Sequence, residues 1–387
     1  MEYRIKTLNA ISSAIYTQLD EKYKVADDVA HPQAVLVRSA SMHETPIDDS
    51  VLCIARAGAG YNNIPVDACS EKGICVFNTP GANANAVREL VLCALLLSSR
   101  RIVEAIDWCR DLKDDPDALK KVEKGKSQFV GPEIAGKTLG VIGLGKVGVL
   151  AANAAVELGM DVLGFDPYLS LENAWSLARR VKRAASYDEI YANCDYITIH
   201  APLTDETKNL VNADTIAKMR DGVRIINLAR GGLVNNDDIK AALASGKVAK
   251  YVTDFPTGDI IGTENVIALP HLGASTPESE ENCAVMAAEQ ISDFLLNGNI
   301  ANSVNFPNLV QERSTKYRIT VFHRNVPNMI SAVSGAIGNA GINIEHMYNR
   351  SRGAYAYMMC DTNTEPTPEC IQNLNAIEGA IRVRVID

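Results

Sequence analysis

A chain of 387 residues is too long for one ordinary hydrophobic core and long enough for two or three domains. With 47% hydrophobic and 22% charged residues, its composition is that of a soluble globular protein. A net charge of −9 argues against nonspecific nucleic-acid binding, which needs clustered cations, although a few local arginines would still hold a small anionic substrate. The nine cysteines are scattered and never spaced as CxxC, so reduced thiols in a cytoplasmic protein are expected. The N-terminal stretch MEYRIKTLNA lacks the apolar core of a signal peptide, and the longest apolar run, residues 90–97, is too short to span a membrane. No His/Cys/Asp group has metal-ligand spacing, so no metal is expected.

Taken from the N-terminus, the apolar runs 34–37, 51–55 and 74–77 predict buried strands. They end in Arg38-Ser39, in Arg56-Ala57-Gly58-Ala59-Gly60 and in Asn78-Thr79-Pro80-Gly81. Ligands of open α/β sheets bind beyond the carboxyl ends of strands, so these three segments are the natural lining for a small substrate. Residues 83–111 predict one long helix with a broad apolar face, suited to burial between domains or subunits. A charged, exposed segment follows at 113–126.

Residues 137–166 carry the central signature. A strand at 138–142 enters Gly143-Leu144-Gly145-Lys146-Val147-Gly148, helical spacing follows to Leu158, and a second strand ends at Asp166. This is a βαβ unit with the dinucleotide fingerprint. Gly143 allows the tight turn, Gly145 admits the pyrophosphate to the backbone, and Gly148 lets helix and strand pack. The helix start at Lys146 and Val147 presents free N–H groups to phosphate. Asp166 would accept from a ribose diol and repel a 2′-phosphate, which favours NAD over NADP.

The alternation continues. Strands at 196–199, 224–228, 248–253 and 266–269 end at His200-Ala201-Pro202, Ala229-Arg230, Asp254 and Pro270-His271-Leu272-Gly273. A helix is predicted over 277–296 and a linker over 297–314. The remainder reads strand 317–322, helix 329–340, strands 343–348 and 354–360, helix 368–376 and strand 381–386. That βαββαβ order predicts a ferredoxin-like module with one sheet face open unless another copy pairs with it.

Hydride transfer from an alcohol to NAD needs a base for the hydroxyl proton, a cation for a substrate carboxylate and an acid partner for the protonated base. The strand ends offer His271 as base, Arg230 as cation, and Asp254 or Asp259 as the acid. His200 reads as a turn cap near the cofactor, and His31 and His43 as surface-loop residues.

These segments resemble the D-2-hydroxyacid dehydrogenase family, through ARAGAGYNNI (55–64), GLGKVG, HAPLTDETKNLVN (200–212), NLARGG (227–232) and PHLGAST (270–276). The resemblance covers nearly all of residues 34–300. It implies a Rossmann-type NAD-binding domain at 96–277 and a flavodoxin-like substrate domain at 1–95 and 278–305. The C-terminal part, 315–387, resembles an ACT domain through HRNVPNMI and AGINI. Arg230 and His271 then fall on the catalytic arginine and histidine, and Asp259 on a catalytic glutamate, within Asp254-Phe255-Pro256-Thr257-Gly258-Asp259. Cofactor contacts are implied for Gly143, Gly145, Lys146, Val147, Gly148, Asp166, His200, Ala201, Pro202, Ala229, Asp254 and Gly273. Arg38, Arg56 and the amides of Ala57 and Gly58 would bind substrate, with Lys126 an additional candidate for its phosphate. His323, Asn325 and Asn343 would bind an amino-acid effector such as serine, with Asn328 standing where the pattern has glycine. The branch implied is the one that oxidises 3-phospho-D-glycerate with NAD toward serine, as a homodimer or homotetramer. The alternatives are a hydroxypyruvate or glyoxylate reductase and a non-catalytic NAD-binding regulator.

Overall fold

The structure, a computed structural model, describes residues 2–387. The chain forms two units, Met1–Asn83 with Pro277–Asp387, and Ala84–Thr276.

The first unit opens with β1 (Tyr3–Leu8), β2 (Tyr23–Ala26), β3 (Ala34–Val37), β4 (Cys53–Arg56), α1 (Val66–Glu71) and β5 (Cys75–Phe77). All pair in parallel in the order β2-β1-β3-β4-β5, the flavodoxin-like arrangement. Every residue of β3 is buried, as a parallel strand covered on both faces requires.

The second unit begins with α2 (Ala84–Ser99), α3 (Ile102–Asp111) and α4 (Ala118–Gly125). The single helix expected over 83–111 is therefore broken. The Ser98 and Ser99 hydroxyls both turn back onto the Leu95 carbonyl, at 2.9 and 2.7 Å, and Arg101 leaves the helical region at φ −72°, ψ 53°. Val87, Val91, Ala94 and Leu95 of α2 share a core with Leu139, Val141 and Ile226, so the domain crossing falls after Asn83 and not at 95. There follow β6 (Thr138–Ile142), α5 (Lys146–Glu157), β7 (Asp161–Phe165), α6 (Leu171–Trp175), β8 (Val181–Arg183), α7 (Tyr187–Asn193) and β9 (Tyr196–Ile199). Next come α8 (Ala213–Ala217), β10 (Val223–Asn227), α9 (Asn236–Ala244), β11 (Val248–Thr253) and β12 (Val266–Ala268). The parallel sheet runs β12-β11-β10-β9-β6-β7-β8, a doubly wound order that reverses between β6 and β9. Dinucleotides bind at that reversal.

The chain returns to the first unit in α10 (Pro277–Asn297). Ala284, Ala287, Ala288, Ile291 and Leu295 of this helix pack on Leu36, Ala55 and Phe77. The expected linker is partly ordered against the first sheet. Val304 N–H donates to the Val76 carbonyl at 2.9 Å, and the Asn305 side chain bonds Val76 N–H and the Ile74 carbonyl at 2.9 Å each. An edge strand leaves backbone groups that need such partners.

The C-terminal module comprises β13 (Tyr317–Arg324), α11 (Met329–Asn339), β14 (His346–Arg352), β15 (Tyr355–Thr362), α12 (Pro368–Asn375) and β16 (Ala380–Ile386). Its antiparallel order, β14-β15-β13-β16, is ferredoxin-like. Asn328 takes the left-handed conformation, φ 67°, in front of α11, a conformation asparagine tolerates better than most residues. One sheet face packs under the two helices through Ile319, Val321, Val333, Ile337, Met358 and Leu374. The face expected to be open is covered by the chain itself: Phe322, Tyr357 and Met359 join the core of Phe77, Phe294 and Phe306. Arginines fasten this contact. The guanidinium of Arg384 donates to the Phe294 and Leu295 carbonyls near the C-terminus of α10, where a cation opposes the negative end of the helix dipole. Fully buried Arg318 pairs with fully buried Asp361 and also donates to the Asn297 and Gln311 carbonyls, at 2.8 and 3.0 Å.

Candidate active site

The glycine loop is shaped by sterics. Gly143 sits at φ +88°, and a Cβ there would meet the His200 backbone at 2.8 Å. A Cβ on Gly148 would strike the Gly143 carbonyl oxygen at 1.9 Å, so strand and helix pack only with glycine at that position. Gly145 has nothing within 4 Å, which leaves the open approach a pyrophosphate needs. No side chain caps α5, so its first N–H groups remain available to an anion. Asp166 is oriented at the end of β7 by the N–H groups of Leu144 and Tyr168, both at 2.8 Å. Lys146 bonds Glu172, and Val147 packs against the core beneath the loop. His200 bonds the Thr198 hydroxyl at 3.0 Å, and burial pushes its imidazole down to about 4, so it is neutral near pH 7. Ala201 is buried beside it, and the Pro202 carbonyl accepts from Thr207.

Arg230 and His271 follow β10 and β12 in the same sheet. Both are exposed, and both lie against one ring that the sequence reading did not single out. The Arg230 guanidinium carbon is 5.8 Å from the Phe255 ring centroid, and the His271 ring centroid is 4.3 Å from it. Arg230 donates to the adjacent Ala229 carbonyl at 2.7 Å, while the Asn227 side chain steadies the loop through the Arg230 carbonyl at 2.9 Å. Neither Arg230 nor His271 has a carboxylate within ion-pair distance among the described residues. Asp254, at the end of β11, is 1% exposed. One of its oxygens accepts the Gly273 N–H at 3.0 Å; the other is buried without a partner. Burial raises its pKa, opposed by the Gly273 N–H and by the charge of His271. A buried acceptor left unpaired is costly, so this oxygen fits the hydrogen-bond donor of a bound cofactor.

Asp259 is placed elsewhere. Its carboxylate bonds Thr257 at 2.5 Å, Lys240 at 2.9 Å and Asn236 at 3.3 Å. The Thr257 and Lys240 bonds hold its pKa down to about 2. Among the described residues no bond joins it to His271, whereas His271 is one of the charges that oppose the burial of Asp254. The loop 256–259 turns back onto α9, where Lys240 offers a stronger partner than an imidazole.

In the first unit, Arg38 pairs with Glu280 on α10, and the Arg56 Nε donates to the Arg38 carbonyl at 3.0 Å. The amides expected to hold substrate are already engaged. Ala57 N–H donates to the Val37 carbonyl, and Gly58 N–H to the Thr79 hydroxyl, at 2.8 Å each. The Arg56 guanidinium lies where a Cβ of Gly58 would sit, and Gly58 adopts φ +149°. The next amides, Ala59 and Gly60, donate to no group among the described residues and are the ones left for a ligand. Lys126 bonds Glu123, His31 pairs with Asp48, and His43 meets the Asn62 carbonyl. In the C-terminal module, His323 is 2% exposed and uses both ring nitrogens, on the Arg324 carbonyl and the Asn349 side chain. Asn325 donates to the Gly353 carbonyl and Asn343 to Glu345, at 3.0 Å each.

Phe255, Glu280 and Lys240 carried no sequence signal of their own; of the pair Asp254-Phe255, only Asp254 was singled out. Residues 92–273 match the family described as D-isomer specific 2-hydroxyacid dehydrogenase, NAD binding domain. A D-3-phosphoglycerate dehydrogenase of Haemophilus influenzae is 30% identical over 98% of this chain and 94% of its own length. Another, from Synechocystis, is 36% identical over 76% of this chain and 52% of its own. The chain spans about half the length of several curated relatives it matches. A crystal structure of NAD+-bound 3-phosphoglycerate dehydrogenase from Entamoeba histolytica covers 80% of this chain at 27% identity, with a TM-score of 0.59. Rhodotorula graminis D-mandelate dehydrogenase shares the fold, with a TM-score of 0.67 at 22% identity. Glycine loop, acidic strand end and the matched relatives agree: the chain belongs to the D-isomer specific 2-hydroxyacid dehydrogenase family, and its second unit is that family's NAD-binding domain.

Proposed function

We propose that this protein oxidises 3-phospho-D-glycerate to 3-phosphohydroxypyruvate with NAD, at the entry to serine synthesis. The observation that carries the reading is the pairing of an unneutralised guanidinium, Arg230, with an exposed imidazole, His271, around Phe255 on a sheet that also carries the dinucleotide loop. Arg230 binds the substrate carboxylate through its planar fork. His271 takes the proton of the substrate hydroxyl. Asp254 favours the resulting imidazolium by its negative charge. Gly143, Gly145 and Gly148 admit the NAD pyrophosphate, Asp166 accepts from the ribose, and the free oxygen of Asp254 accepts from the nicotinamide amide. Bound NAD supplies the hydride acceptor. In the first unit, Arg38, Arg56 and the Ala59 and Gly60 amides serve the substrate's anionic groups.

The same reading makes the protein a cytoplasmic homo-oligomer. All nine cysteines are free, and Ile102, Val103, Ile106, Leu119 and Val122 of α3 and α4 form an exposed apolar set in the second unit. The C-terminal module is read as an ACT domain. A serine effector there would have to displace the internal bonds of His323, Asn325 and Asn343.

Following NADH absorbance with 3-phosphoglycerate and with glycerate tests the reading. Reduction of NAD with the phosphorylated acid supports it; no turnover in either direction overturns it. The Arg38–Glu280 pair favours a second reading, a reductase for an unphosphorylated 2-hydroxy acid, because that pair spends a phosphate-binding charge. Preference for hydroxypyruvate or glyoxylate would establish it.

A further inference from the structure

Arg318, Arg350, Arg352, Arg382 and Arg384 lie on the face of the C-terminal sheet turned toward the rest of the first unit, as does Arg324, which stacks on and donates to Tyr355. Three are fully engaged. Arg318 uses all three nitrogens, and Arg382 and Arg384 each use both terminal nitrogens on main-chain carbonyls. Arg350 and Arg352 stand on the edge strand β14. They pair across to Tyr357 and Tyr355, which belong to that same face, and at i and i+2 their side chains point the same way. Each makes one hydrogen bond: Arg352 to the Ser303 carbonyl at 2.7 Å, and Arg350 to the Asn308 carbonyl at 3.4 Å. Neither has a carboxylate partner among the described residues, and both are exposed.

Both border a cleft of about 540 Å³, whose other polar walls include Tyr61, Asn78, Asn302 and Asn308. Among the described residues no acidic side chain lines it. In a chain of net charge −9, two unneutralised guanidiniums facing amide and phenol groups make a local positive well. The opposite wall touches the substrate loop: the Asn78 side chain donates to the Ala59 carbonyl at 2.6 Å, next to the free Ala59 and Gly60 amides.

We propose that this cleft binds a compact oxyanion, a phosphate or phosphorylated carboxylic acid, gripped by Arg350 and Arg352. The site goes beyond the dehydrogenase reading, lies wholly within the first unit and needs no NAD. The anion arrives either as a separate metabolite or as the phosphate end of the substrate itself; the chemistry of recognition is the same.

Calorimetric titration with inorganic phosphate tests it on the full chain. R350Q/R352Q is expected to bind phosphate about tenfold more weakly than the wild type, as loss of two charge-assisted donors implies, with R350K/R352K in between. Should the double variant misfold, R350Q alone serves, since its one long bond contributes little to the fold; it is expected to lose about threefold. Equal phosphate affinity in wild type and variant, or no phosphate binding by the wild type, overturns the proposal. If R350Q/R352Q also raises KM for 3-phosphoglycerate and not for glycerate, the cleft holds the substrate's phosphate. If both KM values stay unchanged while phosphate binding is lost, the ligand is a separate anion. An inactive wild type would sink the dehydrogenase reading and leave the phosphate titration readable.

Discussion

Lys240 donates to Asp259 at 2.9 Å, and among the described residues no hydrogen bond joins that carboxylate to His271. Thr257 and Asn236 hold the same carboxylate, so Asp259 sits on α9, while Asp254 is the buried acid beside the His271 loop, bonded to the Gly273 N–H. Asp259→Asn is therefore expected to change kcat by less than about threefold, a surface pair being worth little. His271→Ala is expected to lose turnover by at least about a hundredfold while NAD affinity stays near the wild-type value, as removal of a general base implies. Steady-state rates and NAD titration by fluorescence check both. A hundredfold loss in Asp259→Asn would restore it to the catalytic set.

Asp254→Asn should act in the opposite sense on stability and on function. The buried oxygen without a partner makes the charged form unfavourable, and burial raises its folded pKa. A raised carboxylate pKa means that the folded state holds the proton more tightly than the unfolded one, so stability declines as pH rises through that window. The asparagine variant is expected to melt no lower than the wild type at pH 7 and to lose about tenfold or more in kcat/KM. Melting curves between pH 4 and 8 should be flatter than those of the wild type.

His200 has the reverse sign. Its folded pKa of about 4 lies below the ordinary 6.5, so the unfolded chain binds the proton first. The stability is complete above about pH 6.5 and is lost as pH falls toward 4. Urea midpoints measured across that range should fall less for His200→Asn than for the wild type.

Glu280 competes with any anion for Arg38. Glu280→Gln frees the guanidinium and is expected to lower KM for 3-phosphoglycerate by about threefold, leaving KM for glycerate unchanged. An unchanged ratio between the two substrates would show that Arg38 does not meet the phosphate.

Arg318 and Asp361 are both fully buried, so removing one strands the other. Asp361→Asn is expected to cost about 3–5 kcal/mol in the first unit, whereas a double change to Met and Leu recovers most of it. NAD binding by the second unit should survive in the single variant, because the pair lies outside that unit. Chemical denaturation followed alongside NAD titration separates the two effects.

What could be read from residues alone was what depends on short stretches of chain. The turn at Gly143, the open approach at Gly145 and the tight packing at Gly148 are demands of local sterics, so the glycine spacing and the acid at Asp166 identified the dinucleotide loop. Strand runs and the βαββαβ order were legible for the same reason, since side-chain periodicity reports burial within one element. Partnership across long separations was decided by tertiary packing. Glu280 reaches Arg38 across 242 positions, Lys240 takes Asp259 across 19, and Thr79 occupies the Gly58 amide across 21. Likewise the C-terminal sheet covers its apolar face with α10 and Phe306, where the βαββαβ order left that face open unless another copy paired with it. Charge and hydrogen-bond pairing is short-ranged in space and indifferent to sequence distance. The types of group present were therefore visible in the chain, but the fold chose which of them stayed free to act.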